Sequence, residues 1–549
     1  MLALVLAAAI AGGAVLRGGA AARPPKVSPE PVTVDQARVV SRRLGIVPPG
    51  REIHLALALR SRNESALDRL FLGDAETSSG RSVATFGPDP RLVRAALGAV
   101  RRAGLRTAWS AGDAAASAEG PARLVEDFFK VQLVRYVTPG GRRFYAATGR
   151  AAIPAPLRAV VVGVAGLDDW AQVRPAAIPA GGVAPADVLS FYNVLPLQAR
   201  GLDGSGETVV FPELNSPVDV PRLRRDLAAY AEKYHLPPFD LTVRSRLLWK
   251  PVLPGTNAAE GGLAEAALDL EIVHSLAPGA KLVIYEEGSN LVSGVLAEQA
   301  MVRENPSAII SDSIGFCESV IPTDAVRRVI ESPWRRQAAQ NMTHYAASGD
   351  SGAYTCGQDH PPAVDFTAAV PAITGVGGTS VLLAAKGGYY RELAWGNALT
   401  RSGGGGGISR FYARPAYQDQ VPGAPASKRR LVPDVAALAD SNTGWDIIVG
   451  GSDHQIGGTS AAAPFWAGIT ALINQDLRRH GLRRVGFANP ALYWIARRQD
   501  RFHAFHDVTA GNNLLYPAGN GWDAASGLGT PDVAALDAAW HAYIRAGGE

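Results

Sequence analysis

A chain of 549 residues is too long for one ordinary domain, which runs to about 100–200 residues. With 47% hydrophobic and 19% charged residues it has material for a large core, which excludes disorder as a global description. The formal net charge of +4 is spread over an Arg- and Ala-rich sequence and forms no concentrated basic stripe, so no nucleic-acid partner is expected.

The chain begins "MLALVLAAAIAGGAVLRGGAAARPP". Leu2 to Leu16 are apolar, and small residues follow at Ala20, Ala21 and Ala22. That suits a secretory signal ending near residue 23. The run is shorter than the roughly 20 residues a spanning helix needs. An uncleaved N-terminal anchor is the rival reading, and a secreted, extracellular or periplasmic protein is expected either way.

Residues 30–172 mix helical spacing ("DPRLVRAALGAVRRAGL") with strand-like runs ("REIHLALALR", "FKVQLVRYVTPGGRRFYAA"). They predict a compact α+β domain. The segment 173–188, "VRPAAIPAGGVAPADV", reads as an extended linker open to proteolytic nicking.

From residue 189 to 549, short apolar strands alternate with helical stretches: "ETVVFPE", "AKLVIYEE", "SAIISDSIG", "HYAASGDSG", "VPAITGVGG" and "WDIIVGG". Such runs predict an α/β fold, a mostly parallel sheet with helices on both faces. Its active site is expected at the carboxyl ends of the strands. The run "SGGGGGIS", Ser402–Ser409, reads as a loop passing close to a ligand or as a flexible linker. Cys317 and Cys356 each follow an apolar strand-like run. Strand ends on one rim of a sheet bring them within reach of a disulfide; two separate buried thiols fit equally well.

In "GGTSAAAPFWAG", Gly457–Gly468, Ser460 sits where a loop enters a helix. A serine hydroxyl is a poor nucleophile until a base takes its proton. None of the ten histidines offers that base in a helix-start, Gly-rich setting. His54, His235, His274, His344, His360 and His454 lack the context, and His480, His503, His506 and His541 follow the serine. "GDSG", Gly349–Gly352, imitates the nucleophile site of chymotrypsin-like proteases, but that all-β fold and its upstream histidine segment are missing, so Ser351 is set aside.

Carboxylates remain. Glu265 and Asp269 are four residues apart in a helical run, so they stack on one face. Glu271 falls about 120° and His274 about 180° away from Glu265. Paired acids on an apolar helix hold a proton more tightly than a free carboxyl. Taken alone, the spacing also fits two solvated helix acids.

The order Glu265, Asp269, Asp350 in "AASGDSG" and Ser460 in "GGTSAAAPFWAG" resembles the sedolisins, the serine-carboxyl peptidases. "AEAALDLEIVHSLAPGA", "SGGGGGISRFYARPAYQ", "VPDVAALADSNTGW" and "DVTAGNN…GNGWDAASGLGTPD" also match family segments. The N-terminal unit resembles the family's activation propeptide. The resemblance implies a subtilisin-like fold and a propeptide that inhibits in cis until the linker is cut. It makes Ser460 the nucleophile, Glu265 the general base, Asp269 its proton-sharing partner and Asp350 a protonated oxyanion donor. Glu213 in "VVFPELN" would support Glu265.

The resemblance also implies one Ca²⁺, held by Asp507 and Asp523 with the carbonyls of Val508, Gly519 and Gly521. Hard oxygens on a Gly-rich loop suit that ion. The chain departs from the family where "IISDSIG" replaces "ISISWG": Ile314 stands for a Trp beside the cleft, and Asp312 interrupts an apolar strand.

A carboxylate base and a protonated Asp350 both call for acid, roughly pH 3 to 5 from ordinary carboxyl values. The expectation is a self-processing, monomeric zymogen acting on protein or peptide chains, either within the chain or by releasing tripeptides. A peptide-binding relative without catalysis would show replaced catalytic residues, and none is seen. An esterase would show a "GxSxG" elbow around Ser460, which is absent.

Overall fold

The computed structural model describes residues 33–73, 83–139, 141–149, 151–170, 182–214, 219–245, 258–287, 291–305, 307–321, 323–384 and 388–548. The expected signal or anchor segment and most of the expected linker lie outside these residues. Among the described residues, no helix is long and apolar enough to cross a membrane.

The N-terminal unit is built on a four-stranded antiparallel sheet in the order 106–108, 115–121, 52–59, 161–165. A second, three-stranded antiparallel sheet joins 42–46, 133–137 and 143–147. The helix Pro90–Arg102 starts where Asp89 caps it, its carboxylate accepting from the Arg91 N–H at 2.8 Å, with Pro at the first helical position.

The Leu/Ala alternation of "HLALAL" has a structural meaning. Ile53, Leu55, Leu57 and Leu59 point into the unit's own core with Val93 and Leu97. Ala56 and Ala58, joined by Ala115 and Ala165, form the opposite face. That flat face of small residues packs against Val292, Val295, Val329 and Trp334 of the C-terminal unit. Strand period two thus sorts bulk to one side and a docking surface to the other.

The C-terminal unit contains, in chain order, β1 (Thr208–Leu214), β2 (Leu241–Ser245), α1 (Ala258–Leu276), β3 (Lys281–Glu287), α2 (Leu291–Glu304), β4 (Ile309–Asp312), α3 (Asp324–Gln340), β5 (Thr343–Ala347), β6 (Thr374–Leu383), β7 (Tyr389–Ala394), β8 (Val435–Leu438), α4 (Thr459–Arg479) and α5 (Val533–Arg545). The sheet runs β7-β6-β5-β4-β1-β3-β2, with β8 also paired to β6. Every pairing is parallel except that of β7 with β6. Helices α1 and α4 are packed together over the sheet, and their apolar residues share the main core.

Two details differ from the sequence reading. "WDIIVGG" gives no sheet strand: Trp445–Val449 turns back on Ser452–Ile456 as an antiparallel hairpin. Gly450 and Gly451, at φ +64° and +76°, supply the two-residue turn that fits such a hairpin. Its strand is anchored to α1, where Glu271 accepts from the Ile448 N–H at 2.9 Å. The end of the expected linker is also not extended. Val183 bridges Trp445, and a helix runs Pro185–Phe191 with Val188 and Leu189 buried.

The two units meet through ion pairs of one polarity, acids from the N-terminal unit and arginines from the other. Asp113 takes Arg303 and Arg336, each at 2.6 Å. Glu64 meets Arg328 at 3.2 Å, and Asp68 meets Arg335 at 2.6 Å. Asp113 is buried and the Arg336 side chain is only 9% exposed, so removing one charge strands the other in a poorly solvated place. Asp113→Asn is expected to weaken docking by roughly 3 kcal/mol. Limited proteolysis at neutral pH should then cut the N-terminal unit of the variant while that of the wild type resists; equal resistance would contradict this.

Candidate active site

Ser460 lies in the first turn of α4, behind Gly458, whose φ of +116° makes the sharp entry. Four residues on, Pro464 lacks the N–H that would bond the Ser460 carbonyl. That carbonyl turns instead to Ser313, whose hydroxyl lies 3.2 Å away. The same hydroxyl is 2.8 Å and 3.1 Å from the two carboxyl oxygens of Asp269. Ser313 has one proton to give. When Asp269 is protonated it donates to Ser313, and Ser313 donates on to Ser460. The Ser460 hydroxyl is 3.4 Å from the Ser313 carbonyl oxygen.

Helix α1 brings Glu265 and Asp269 to this point. Close approach of the helices needs Gly468 on α4: a Cβ there would sit 2.6 Å from Leu276 Cδ1 on α1. Glu265 is 3% exposed, Asp269 0% and Glu213, from the end of β1, 2%. Both oxygens of Glu265 and Oε1 of Glu213 are buried without a hydrogen-bond partner. Burial pushes all three carboxyls above their ordinary range. Mutual repulsion adds to this at Asp269 and Glu213. At Glu265 the nearby Ser460 hydroxyl acts the other way and favours the anion, although no hydrogen bond of ordinary length joins them. The three titrate as a unit. A hydroxyl favours the anion at two of them, Ser460 at Glu265 and Ser313 at Asp269.

Asp350 follows β5. Its Oδ1 accepts from the Thr459 N–H at 2.7 Å and the Thr459 hydroxyl at 2.9 Å, which ties it to the first turn of α4. Its Oδ2 is buried without a partner. Burial raises the group to about 7 against the pull of both Thr459 bonds. Below that pH it holds a proton and has an oxygen from which to donate it.

The glycine run is no flexible linker. Gly403 N–H donates to Asp350 O at 2.9 Å, Gly405 N–H donates to Gly349 O at 2.7 Å, and the Ser348 hydroxyl donates to Gly405 O at 2.7 Å. A Cβ on Gly405 would overlap the Ser348 carbonyl. Ser351 sits in a bridge with Gly403. His274 is occupied elsewhere: its Nε2 meets the Pro237 carbonyl at 2.7 Å and its ring stacks on Phe239.

Ser460, the paired acids of α1 and Asp350 thus converge at the carboxyl ends of β1, β4 and β5. A model of the "Pro-kumamolisin, activation domain" matches residues 40–170, and one of the "Subtilase family" matches residues 255–486. Kumamolisin of Bacillus sp. (strain MN-32) is 32% identical over 443 residues, covering 75% of this chain and 76% of the relative. The chain belongs to the sedolisin family. Sedolisin of Pseudomonas sp. (strain 101) is 28% identical over 541 residues, covering 91% of this chain and 88% of the relative. The solved structure of Pseudomonas sedolisin, a serine-carboxyl proteinase in complex with pseudo-iodotyrostatin, superposes with a TM-score of 0.57 at 28% identity. It covers 67% of this chain and 100% of its own. This sedolisin-family member is a serine-type peptidase carrying an activation domain ahead of its subtilisin-like catalytic domain.

Its other expected residues fall as follows. Cys317 and Cys356 are joined as a disulfide with Cα atoms 5.1 Å apart, linking the segment after β4 to the segment after Asp350. Asp507 Oδ2 accepts from Gly521 N–H and Asp523 Oδ2 from Gly519 N–H, both at 2.9 Å, so the two acids share one loop. Asp312, out of place in an apolar strand, lies 3.5 Å from His344 Nε2, and its Oδ1 accepts from the Ile314 N–H at 2.9 Å. Ile314, in the Trp position, is 8% exposed.

Sequence reasoning missed Ser313 and Thr459. Thr459 was legible as the neighbour of Ser460 at a helix start, where a hydroxyl commonly caps or clamps. For Ser313 the signal was indirect: Pro464 four residues after Ser460 announces a free carbonyl in need of a donor. Ser313→Ala removes a bond to a charged or proton-sharing group, of about 1.5–3 kcal/mol. It is expected to lower kcat roughly tenfold to a hundredfold with KM nearly unchanged. Steady-state kinetics on a peptide checks this, and an unchanged kcat would remove Ser313 from the machinery.

Proposed function

We propose that this chain is an exported zymogen that processes itself and hydrolyses peptide bonds in acid, with Ser460 as nucleophile. The reading rests on one observation above the others: two buried acids on α1 face the first turn of α4, and a third acid is tied to that turn through Thr459. The apolar N-terminal run and the disulfide support export to an oxidising compartment.

Ser460 Oγ attacks the scissile carbonyl while Glu265 takes its proton. Asp269 stabilises Glu265 by sharing a proton, with Ser313 as the bridge to Ser460. Negative charge growing on the substrate oxygen is met by the protonated Asp350 and by the Ser460 N–H. Glu265 then returns the proton to the leaving amine. Water repeats the sequence on the acyl-enzyme. Glu213 keeps the cluster crowded with acid and so favours the protonated state of Asp269.

The pH window follows from these roles. Asp350 serves only when protonated, so activity falls as pH rises through about 7. Glu265 serves only when ionised, and burial lifts that limb above the ordinary glutamate range. Both limbs therefore lie above where ordinary carboxyl values would place them.

The loop of Asp507 and Asp523 fits a calcium ion. Among the described residues no hydrogen bond reaches the carbonyl oxygens of Val508, Gly519 or Gly521, and these with two carboxylates form a hard-oxygen set. The ion would brace the loop and supply no catalytic step. Chelation is expected to lower the melting temperature and calcium to restore it; a melting curve indifferent to both would sink the assignment.

The main test follows self-cleavage after a shift to about pH 4, near the ordinary carboxyl range. Wild type should lose its N-terminal unit and digest protein, while Ser460→Ala stays intact. A Ser460→Ala chain that matures alone would overturn the reading. Asp350→Asn keeps a donor that cannot ionise, so its reduced activity should no longer fall between pH 6 and about 8. An alkaline limb unchanged in that variant would remove Asp350 from its role.

A further inference from the structure

At the far end of α4 from Ser460 the sequence reads "DLRRH", Asp476 to His480, and α5 reads "DAAWH", Asp537 to His541. Both are Asp-x-x-x-His, a spacing that puts the two side chains of each pair on one helical face. The helices bring the pairs together. Asp476 Oδ2 lies 2.8 Å from His541 Nε2 and 3.6 Å from His480 Nδ1. His541 Nε2 lies 4.0 Å from Asp537 Oδ1. The ligand atoms of Asp476, His480 and His541 all fall within 4.8 Å of one another.

We infer that Asp476, His480, Asp537 and His541 form a binding site for a zinc-class divalent cation, separate from the catalytic centre and from the Asp507/Asp523 loop. Two imidazoles and two carboxylates make a borderline, four-donor set of the kind that takes Zn²⁺ in a tetrahedron. Metal–ligand bonds of about 2.0–2.2 Å put neighbouring ligand atoms roughly 3.3 Å apart, and the observed separations straddle that value.

Two further observations point to a ligand. Asp537 has a side chain only 5% exposed, and its Oδ1 is buried without a hydrogen-bond partner while aimed at the cluster. His541 Nε2 faces carboxylate oxygens from both helices, at 2.8 Å and 4.0 Å, across the space a metal would bridge.

Arg200 defines the outer edge. Its guanidinium holds the other oxygen of Asp537, Oδ2, at 2.6 Å and approaches Asp476 Oδ2 at 3.5 Å. The first contact is compatible with a metal on Oδ1 and orients the carboxylate from outside. The second must relax, which a side chain 47% exposed permits. His480 now places Nδ1 2.9 Å from the carbonyl of Asp476, and its half-exposed ring must turn from it to ligate. Bound metal would clamp α5 to the end of the helix whose start carries Ser460.

The test uses the full-length chain at about pH 7.5, where unperturbed imidazoles are neutral, with excess Ca²⁺ to saturate the hard-oxygen loop. Cobalt(II) chloride is titrated and the visible d–d absorption of four-coordinate cobalt is read. The expected result is a saturable band at one equivalent that added zinc bleaches. Asp537→Asn and His541→Gln, with metal-free melting temperatures close to wild type, should lose the band. A wild-type chain without saturable absorption overturns the inference by itself, whatever the variants do. A band that survives undiminished in folded Asp537→Asn and His541→Gln overturns it as well.

Discussion

Three carboxyl groups buried against one helix start, out of contact with bulk solvent, are the constraint on which the rest of this structure depends. An ionised acid out of water is costly, so burial raises the proton affinity of Glu213, Glu265 and Asp269 together. Holding three such groups at one place requires fixed geometry, which explains several features that look unrelated in the sequence. Gly468 lets α4 lie close on α1. Pro464 frees the Ser460 carbonyl, and Ser313 joins that carbonyl to Asp269. On the proposed mechanism, Ser460 is thereby served by carboxyls that must be kept dry, where a histidine would not.

The same logic extends to the opposite side of the serine. Asp350 is tied through Thr459 to the turn that carries Ser460. Glycines 403 to 405 press against the backbone behind it, where any side chain would force the loop outward. The N-terminal unit packs a face of alanines against α2 and α3, flanked by acid–arginine pairs.

Much of this was legible in the sequence. The i, i+4 spacing of Glu265 and Asp269, the Gly-Thr-Ser-Ala turn and the apolar runs of the parallel sheet are local patterns, and the structure contains them as helix, helix start and strands. What stayed hidden depends on pairs distant in sequence. Ser313 is an ordinary serine until Asp269 and Ser460 arrive on either side of it. Asp312 looked like a fault in a strand because His344, on the neighbouring strand, is not adjacent in sequence. "WDIIVGG" has the apolar content of a sheet strand, but its two glycines turn it into a hairpin. The glycine run looked flexible because composition does not show how closely other backbones approach it.

The central claim is that a carboxylate, not an imidazole, activates Ser460. It is tested most directly by measuring peptide hydrolysis by Glu265→Gln across the acid range, with binding of a substrate-like peptide as the control. An amide of the same shape cannot take the proton, so turnover should fall by about 10²–10⁴-fold at every pH while peptide binding persists. A Glu265→Gln chain that turns over like wild type would contradict the account.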